Sequence, residues 1–324
     1  MQLKYFLIIL PAVLTAGCGG SASVEPVDIV RFDTIEASYI SLLPDQRDSV
    51  ISEYAPEIGF LQKLYGLSSA DSAMQMVAVS RPVEVFGPDI RARLADLKPV
   101  EERLGELAAR LPHVLPAVKM PSRLSGIILP YRQSVVVADS LLLVGLNHYL
   151  GSDYEGYATF DSYTRGQKTV ERMPYHIAEA IVGSTYPYLE SEGATALSRM
   201  LYEGAMVEVL SQLFPDAAPA QLMGYTEQQM DDLNANESTL WQRIIAGNML
   251  YDVDPMTAAR LVEPAASTSV ISPDAPPRAG RYLGWRIVRA YMQSHPEVSP
   301  EYLLTPRFYG SQQSLKDSGY APLR

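Results

Sequence analysis

The chain has 324 residues, 47% hydrophobic and 19% charged, enough apolar material for a packed core in one large domain or two small ones. Acidic residues outnumber basic ones 37 to 26, and the net charge of −11 argues against nucleic acid as a partner, which needs clustered Lys and Arg. Four His and a single Cys leave few soft metal ligands and allow no internal disulfide.

Met1 to Lys4 is a short, weakly basic start, and Tyr5 to Leu14 (YFLIILPAVL) is a ten-residue apolar run. A permanent bilayer span needs about 20 residues, so this run has the length of a secretory signal core, which is removed on export. Thr15-Ala16-Gly17 and then Cys18 follow. This resembles the lipobox of type II bacterial signal peptides, whose first mature residue is a Cys that carries the lipid. It departs from that pattern in having Thr15 three before the Cys, with the aliphatic Leu14 one place further back. The expected division is a lipoprotein signal peptide at 1–17, a lipidated flexible tether at 18–27 and a globular domain at 28–324. Gly19 to Val27 (GGSASVEPV) is small and polar, as a tether requires. It lacks the acidic cluster after the Cys that marks surface export in some Bacteroidota lipoproteins, and by that likeness the domain faces the periplasm. No later stretch is long and uncharged enough to span a bilayer.

Beyond the tether most of the chain reads as helix. Pro44-Asp45 opens a segment in which Ile51, Tyr54, Ile58, Leu61 and Tyr65 recur at helical spacing, with Gly66 to close it. Val100, Leu104, Leu107 and Leu111 repeat the pattern before Pro112. Within Ser122 to Ala138, GIILPY and SVVVA are short β-branched runs that read as two strands, Pro130 marking an edge or a break. Helices are expected again over 170–188, 194–214 and 226–250, the last as one or two. Asp254-Pro255 is a helix start with an acidic cap and a first-turn proline. Residues 261–278 read as a long loop, 283–294 as a further helix, and Ser299-Pro300 as the start of a short last one. The fold class expected is α+β, mainly α-helical, a single domain with a small central sheet.

Several segments carry a family resemblance in order: GLNHYLGSDYEGY at 145–157, LYEG at 201–204, GYTEQQ at 224–229, NESTLW at 236–241, GRYLGWRIVRAYM at 280–292, HPEVSPEYLL at 295–304 and SGYAP at 318–322. Together with the lipobox they resemble the gliding motility lipoprotein B (GldB) family of Bacteroidota. The resemblance covers the C-terminal two-thirds; the chain up to about Pro121 carries no matching motif. It implies an envelope lipoprotein of gliding or related cell-surface machinery, lipid-anchored to the outer membrane through Cys18, with a protein partner it does not identify. The family in turn looks distantly like zincin metallopeptidases. Those enzymes hold zinc with HExxH on one helix, two His ligands and a Glu base on one face. Gluzincin-type members add a Glu in an EG-containing stretch of a later helix. Here Tyr202-Glu203-Gly204 resembles that later helix, and MPYHIAEAIV at 173–182 stands in place of the earlier one. His176 is followed by Ile, Ala and Glu179, and no second His lies one turn on.

His176, Glu179 and Glu203 are therefore the candidate residues of a vestigial, zincin-like cleft. His176 and Glu179 share a helix face three residues apart. Catalytic zinc takes three well-placed protein ligands, so the expectation is a hydrogen-bonded His and structural glutamates, with no metal, no cofactor and no catalytic residue. Glu203 falls on the apolar stripe of Met200, Val207 and Leu210, so it should point inward and meet a Tyr, Arg, His or backbone N–H partner. No G-x-S-x-G elbow, P-loop or dinucleotide-binding glycine pattern is present. The tyrosines of 149–163 could stack on sugars or pack at the edge of the fold, and packing is the expectation. Gly280 and Gly284 read as close helix packing beside the core aromatics Trp285 and Tyr291. Two functions compete: a non-catalytic envelope lipoprotein, preferred for want of HExxH, and a membrane-tethered zinc-type metallohydrolase with an atypical ligand set.

Overall fold

In the computed structural model the described residues are 24–130 and 133–322. Cys18 and the signal peptide lie outside them. The packed chain begins slightly before the expected boundary. Val27 N–H donates to the Glu101 carbonyl at 3.0 Å, and a Cβ at Gly105 would overlap the Glu25 carbonyl, so Glu25 to Val27 are seated on a helix and are not free tether.

Six helices come first: α1 (Phe32–Ser38), α2 (Pro44–Glu53), α3 (Ala55–Tyr65), α4 (Ala70–Ala78), α5 (Arg81–Arg93) and α6 (Lys98–Val114). The single helix expected from Pro44 to Gly66 is two. Pro56 sits in the first turn of α3 and cannot donate backward, so the ladder breaks at Tyr54 (φ −108°). Gly66 does close the segment, in the left-handed conformation at φ +65° that favours glycine. In α6, Val100, Leu104, Leu107 and Leu111 are all buried, and Pro112 is absorbed in the last turns.

The sheet has three strands, β1 (Arg123–Ile127), β2 (Val135–Ala138) and β3 (Leu141–Gly145), in the order β1-β3-β2. β3 runs parallel to β1, with Leu124 opposite Leu142, and antiparallel to β2, with Val136 opposite Leu143. The central strand is neither of the two that the sequence predicts. All five of its residues are buried, so LLLVG shows no alternation to announce a strand. Asp139 turns the β2–β3 hairpin in the left-handed region at φ +52°. Helices α1 and α3 pack against β1 and β3, while the later helix of residues 173–185 lies on β2.

After the sheet come α7 (Ser162–Gly166), α8 (Met173–Thr185), α9 (Ala196–Leu213), α10 (Pro219–Met223), α11 (Glu227–Ala246) and α12 (Pro255–Val262). Then follow α13 (Ala279–Ser294), α14 (Pro300–Leu303), α15 (Pro306–Tyr309) and α16 (Gln312–Ser318), so the helix at Ser299-Pro300 is not the last. Helix starts are capped as the sequence implies: Thr226 and Gln229 form a reciprocal box on α11, and Asp254 Oδ1 accepts from Met256 N–H at 3.0 Å on α12. Helix α9 is buried on almost every side and is crossed most closely by α13. The whole is one α+β domain, mainly helical, as expected.

Candidate functional site

Three elements bring the site together: α8 supplies His176 and Glu179, α9 supplies Glu203, and the entry to α13 supplies two arginines. The loop before α13 is ordered by one buried hydroxyl. Thr268 Oγ1 donates to the Pro276 carbonyl (2.6 Å) and accepts from Ala279 N–H (2.8 Å), capping α13 from ten residues upstream of its cap residue. Arg278 then turns into the helix with φ +55°, an unusual conformation for a side chain of its size. That turn directs Arg278 and Arg281, three residues apart, towards α8 and α9.

Glu203 is clasped by arginines. Arg199 Nη2 lies 3.1 Å from its Oε1, Arg278 Nη2 3.1 Å from its Oε2, and Arg281 Nη1 3.9 Å from Oε2. The inward direction and the need for a partner were legible; the partner is arginine, three times over. Glu179 pairs with Arg281 Nη2. Arg278 also donates to the Val262 carbonyl (2.7 Å) and to the Tyr163 hydroxyl (3.5 Å). A fourth guanidinium, Arg172, is buried at the start of α8, bonded to Gln167 Oε1 (3.1 Å) and the Gln221 carbonyl.

Two titrating groups answer to this field. Burial alone would raise the Glu179 carboxyl, yet Arg281, with His176, Arg278 and Arg172 behind it, holds it down to about 2. His176 is pushed down to about 3 by burial first and then by Arg172, so its ring is neutral at neutral pH. Its Nδ1 lies 3.1 Å from the Tyr149 hydroxyl, a phenol that burial keeps protonated.

The three residues singled out from the sequence thus share a neighbourhood, but guanidiniums stand between them. Arg281 separates Glu179 from Glu203, and His176 is held by a phenol. Among the described residues no three or more His, Cys, Asp or Glu side chains converge as a metal site would require. The missed residues are Arg172, Arg199, Arg278, Arg281 and Tyr149. One signal could have found Arg281: it is a charge set in the otherwise apolar face Tyr282, Trp285, Val288 of GRYLGWRIV. The tyrosines of 149–163 pack as expected. Tyr149, Tyr154, Tyr157 and Tyr163 are buried, and Tyr154 meets Tyr157 edge-on at 4.9 Å. No curated protein and no solved structure gives a match, so the likeness to zincins rests on the order of sequence motifs alone. A family model described as gliding motility protein GldB matches residues 21–322, which includes the N-terminal third where no motif was recognised. With nearly its whole length matched, the chain belongs to the GldB family of gliding motility lipoproteins.

Proposed function

We propose that this chain is a non-catalytic envelope lipoprotein, anchored in the outer membrane through the acylated thiol of Cys18, with its domain in the periplasm. There it serves gliding or related cell-surface machinery through the cleft between α8, α9 and α13, used as an interaction surface. The observation that carries the reading is the Arg281 guanidinium between Glu179 and Glu203. A guanidinium is always protonated, so a dication placed beside these two carboxylates would meet a fixed positive charge. Family membership supports the lipoprotein part.

The anchor is short. Because Glu25 to Val27 are seated on α6, only about six residues separate Cys18 from the domain, a span of at most ~20 Å when fully extended. The domain accordingly stays beside the membrane with its α6 side towards it. No helix of the described residues is long and apolar enough to cross a bilayer. A multi-chain lipid is needed for stable retention, since one acyl chain holds only marginally. The experiment is Cys18→Ala in cells labelled with palmitate, followed by membrane separation. Wild type takes the label and sediments with outer membrane, and the variant takes none and remains unprocessed. A labelled variant, or wild-type protein in the inner membrane, contradicts the assignment.

A further inference from the structure

The cleft is unbalanced in charge. Arg172, Arg278 and Arg281 are buried or nearly so, and Arg199 reaches in from the mouth, while Glu179 and Glu203 are the carboxylates that face them. Arg172 answers to both Glu179 and Arg281, which places it in the same field. The His176 ring carries no charge at neutral pH, and burial keeps the Tyr149 phenol that meets it protonated there. An uncompensated buried cation is costly, and natural interiors pair such charges with anions and hydrogen bonds. Arg281 Nε is buried with no hydrogen-bond partner, although the side chain is only 2% exposed. The His176 ring, bonded through Nδ1 to the Tyr149 hydroxyl, lies in the same place.

The cleft also opens to solvent. Glu179 keeps 25% of its side chain exposed and Arg199 30%, so the cleft is reached from solvent past these two groups. Beyond Arg199 a cavity of about 350 Å³ is lined by Tyr188, Thr195, Pro255 and Met256, with the exposed acids Glu190, Asp254 and Glu263 at its rim. Those acids are exposed to solvent and share the cavity with Arg199.

We propose that the cleft between α8, α9 and α13 binds a small oxyanion, a carboxylate or phosphate group, on the guanidiniums of Arg172, Arg278 and Arg281. The inference rests on the reading of this cleft as an interaction surface and names the chemistry it recognises. Guanidinium is the group suited to the task, because its planar N–H fork matches the oxygen spacing of both anions.

The test uses the full-length protein in neutral detergent at pH 7 and constant ionic strength. Thermal melts are recorded with inorganic phosphate and, separately, with N-acetylglycine as a model of a peptide C-terminus, against chloride alone. At about ten times the dissociation constant, a bound anion should raise Tm by roughly 2–5 °C in a saturable way. Arg278→Gln should abolish the rise. If that variant does not fold, Arg199→Gln, whose side chain stands at the mouth, should reduce it. A response to phosphate alone assigns a phosphate group, and a response to N-acetylglycine, alone or with phosphate, assigns a carboxylate. No rise with either anion overturns the proposal, and so does an undiminished rise in whichever variant folds. Zinc content of the same sample separates the two readings. A metal-free protein without an anion response sinks the anion site alone, whereas stoichiometric zinc sinks the non-catalytic reading beneath it.

Discussion

Gly204 of α9 and Gly284 of α13 meet backbone to backbone, and a Cβ on either would overlap main-chain atoms of the other helix. Gly284 faces the Met200 carbonyl, Gly204 faces Gly284 itself, and Gly280 is likewise pressed against Leu261. This contact fixes the distance between the helix that carries Glu203 and the helix that carries Arg281. Since main chain cannot swing aside as a flexible side chain can, Gly284→Ala and Gly204→Ala should each destabilise by about 1–3 kcal/mol or more. Gly59 in α3 has nothing near its absent Cβ, so Gly59→Ala should stabilise by about 0.5–1 kcal/mol. Thermal melts of the three variants check both signs, and a harmless Gly284→Ala would refute the close crossing.

Glu203 is the second case. Its side chain is 12% exposed and sits against three guanidiniums. Removing one member of a buried ion pair leaves the other charge unpaired, so Glu203→Ala should cost about 3–5 kcal/mol. With arginine as the partner, Gln keeps the shape and loses the charge, so it should fall nearer to Ala than to wild type. Denaturant melts of both variants decide it, and a Gln variant as stable as wild type would mean that the charge is unimportant.

A pH dependence follows from His176. Its folded-state value, about 3, lies below the ordinary imidazole range, so on acidification the unfolded chain takes up the proton first. The stability this provides is complete above about pH 6.5 and is lost as pH falls towards 3. Glu179, held at about 2, adds to the loss below about pH 4.5. Tm should therefore fall between pH 6.5 and 5 in wild type and fall less steeply in His176→Gln. Parallel curves would show that the ring is not buried neutral.

Thr268 gives a fourth test. It is fully buried and both donates and accepts at the turn into α13. Thr268→Val keeps the volume and removes both bonds, so the Pro276 carbonyl and the Ala279 N–H lose their partner. The expected cost is about 1–3 kcal/mol, read from thermal melts. Hydrogen exchange at Ala279 should speed up in step, and an unaltered Ala279 amide would contradict the cap.

The long helices were legible because their apolar residues recur at helical spacing and their caps are local: Thr226, Asp254 and Gly66 announce themselves within one turn. The strand β3 was not, because burial on both faces erases the alternation by which a strand is recognised. Glu203 could be placed inside from its neighbours Met200 and Val207, but its partners lie on α13 and one turn earlier on α9, and only Arg199 is close in sequence. Arg278 and Arg281 reach it because Thr268 and an unusual backbone turn aim them there. Such aim depends on long-range packing, which no local spacing encodes.

The measurement that bears most directly on the account is the zinc content of full-length protein purified without chelator, paired with melts in its presence. A cleft occupied by guanidiniums predicts far less than one zinc per chain and a Tm that chelator leaves unchanged, because no bound ion stabilises the native state. One equivalent of zinc that disappears in His176→Ala, with a chelator-sensitive Tm in wild type, would contradict it and make His176, Glu179 and Glu203 the ligands of an atypical metallohydrolase.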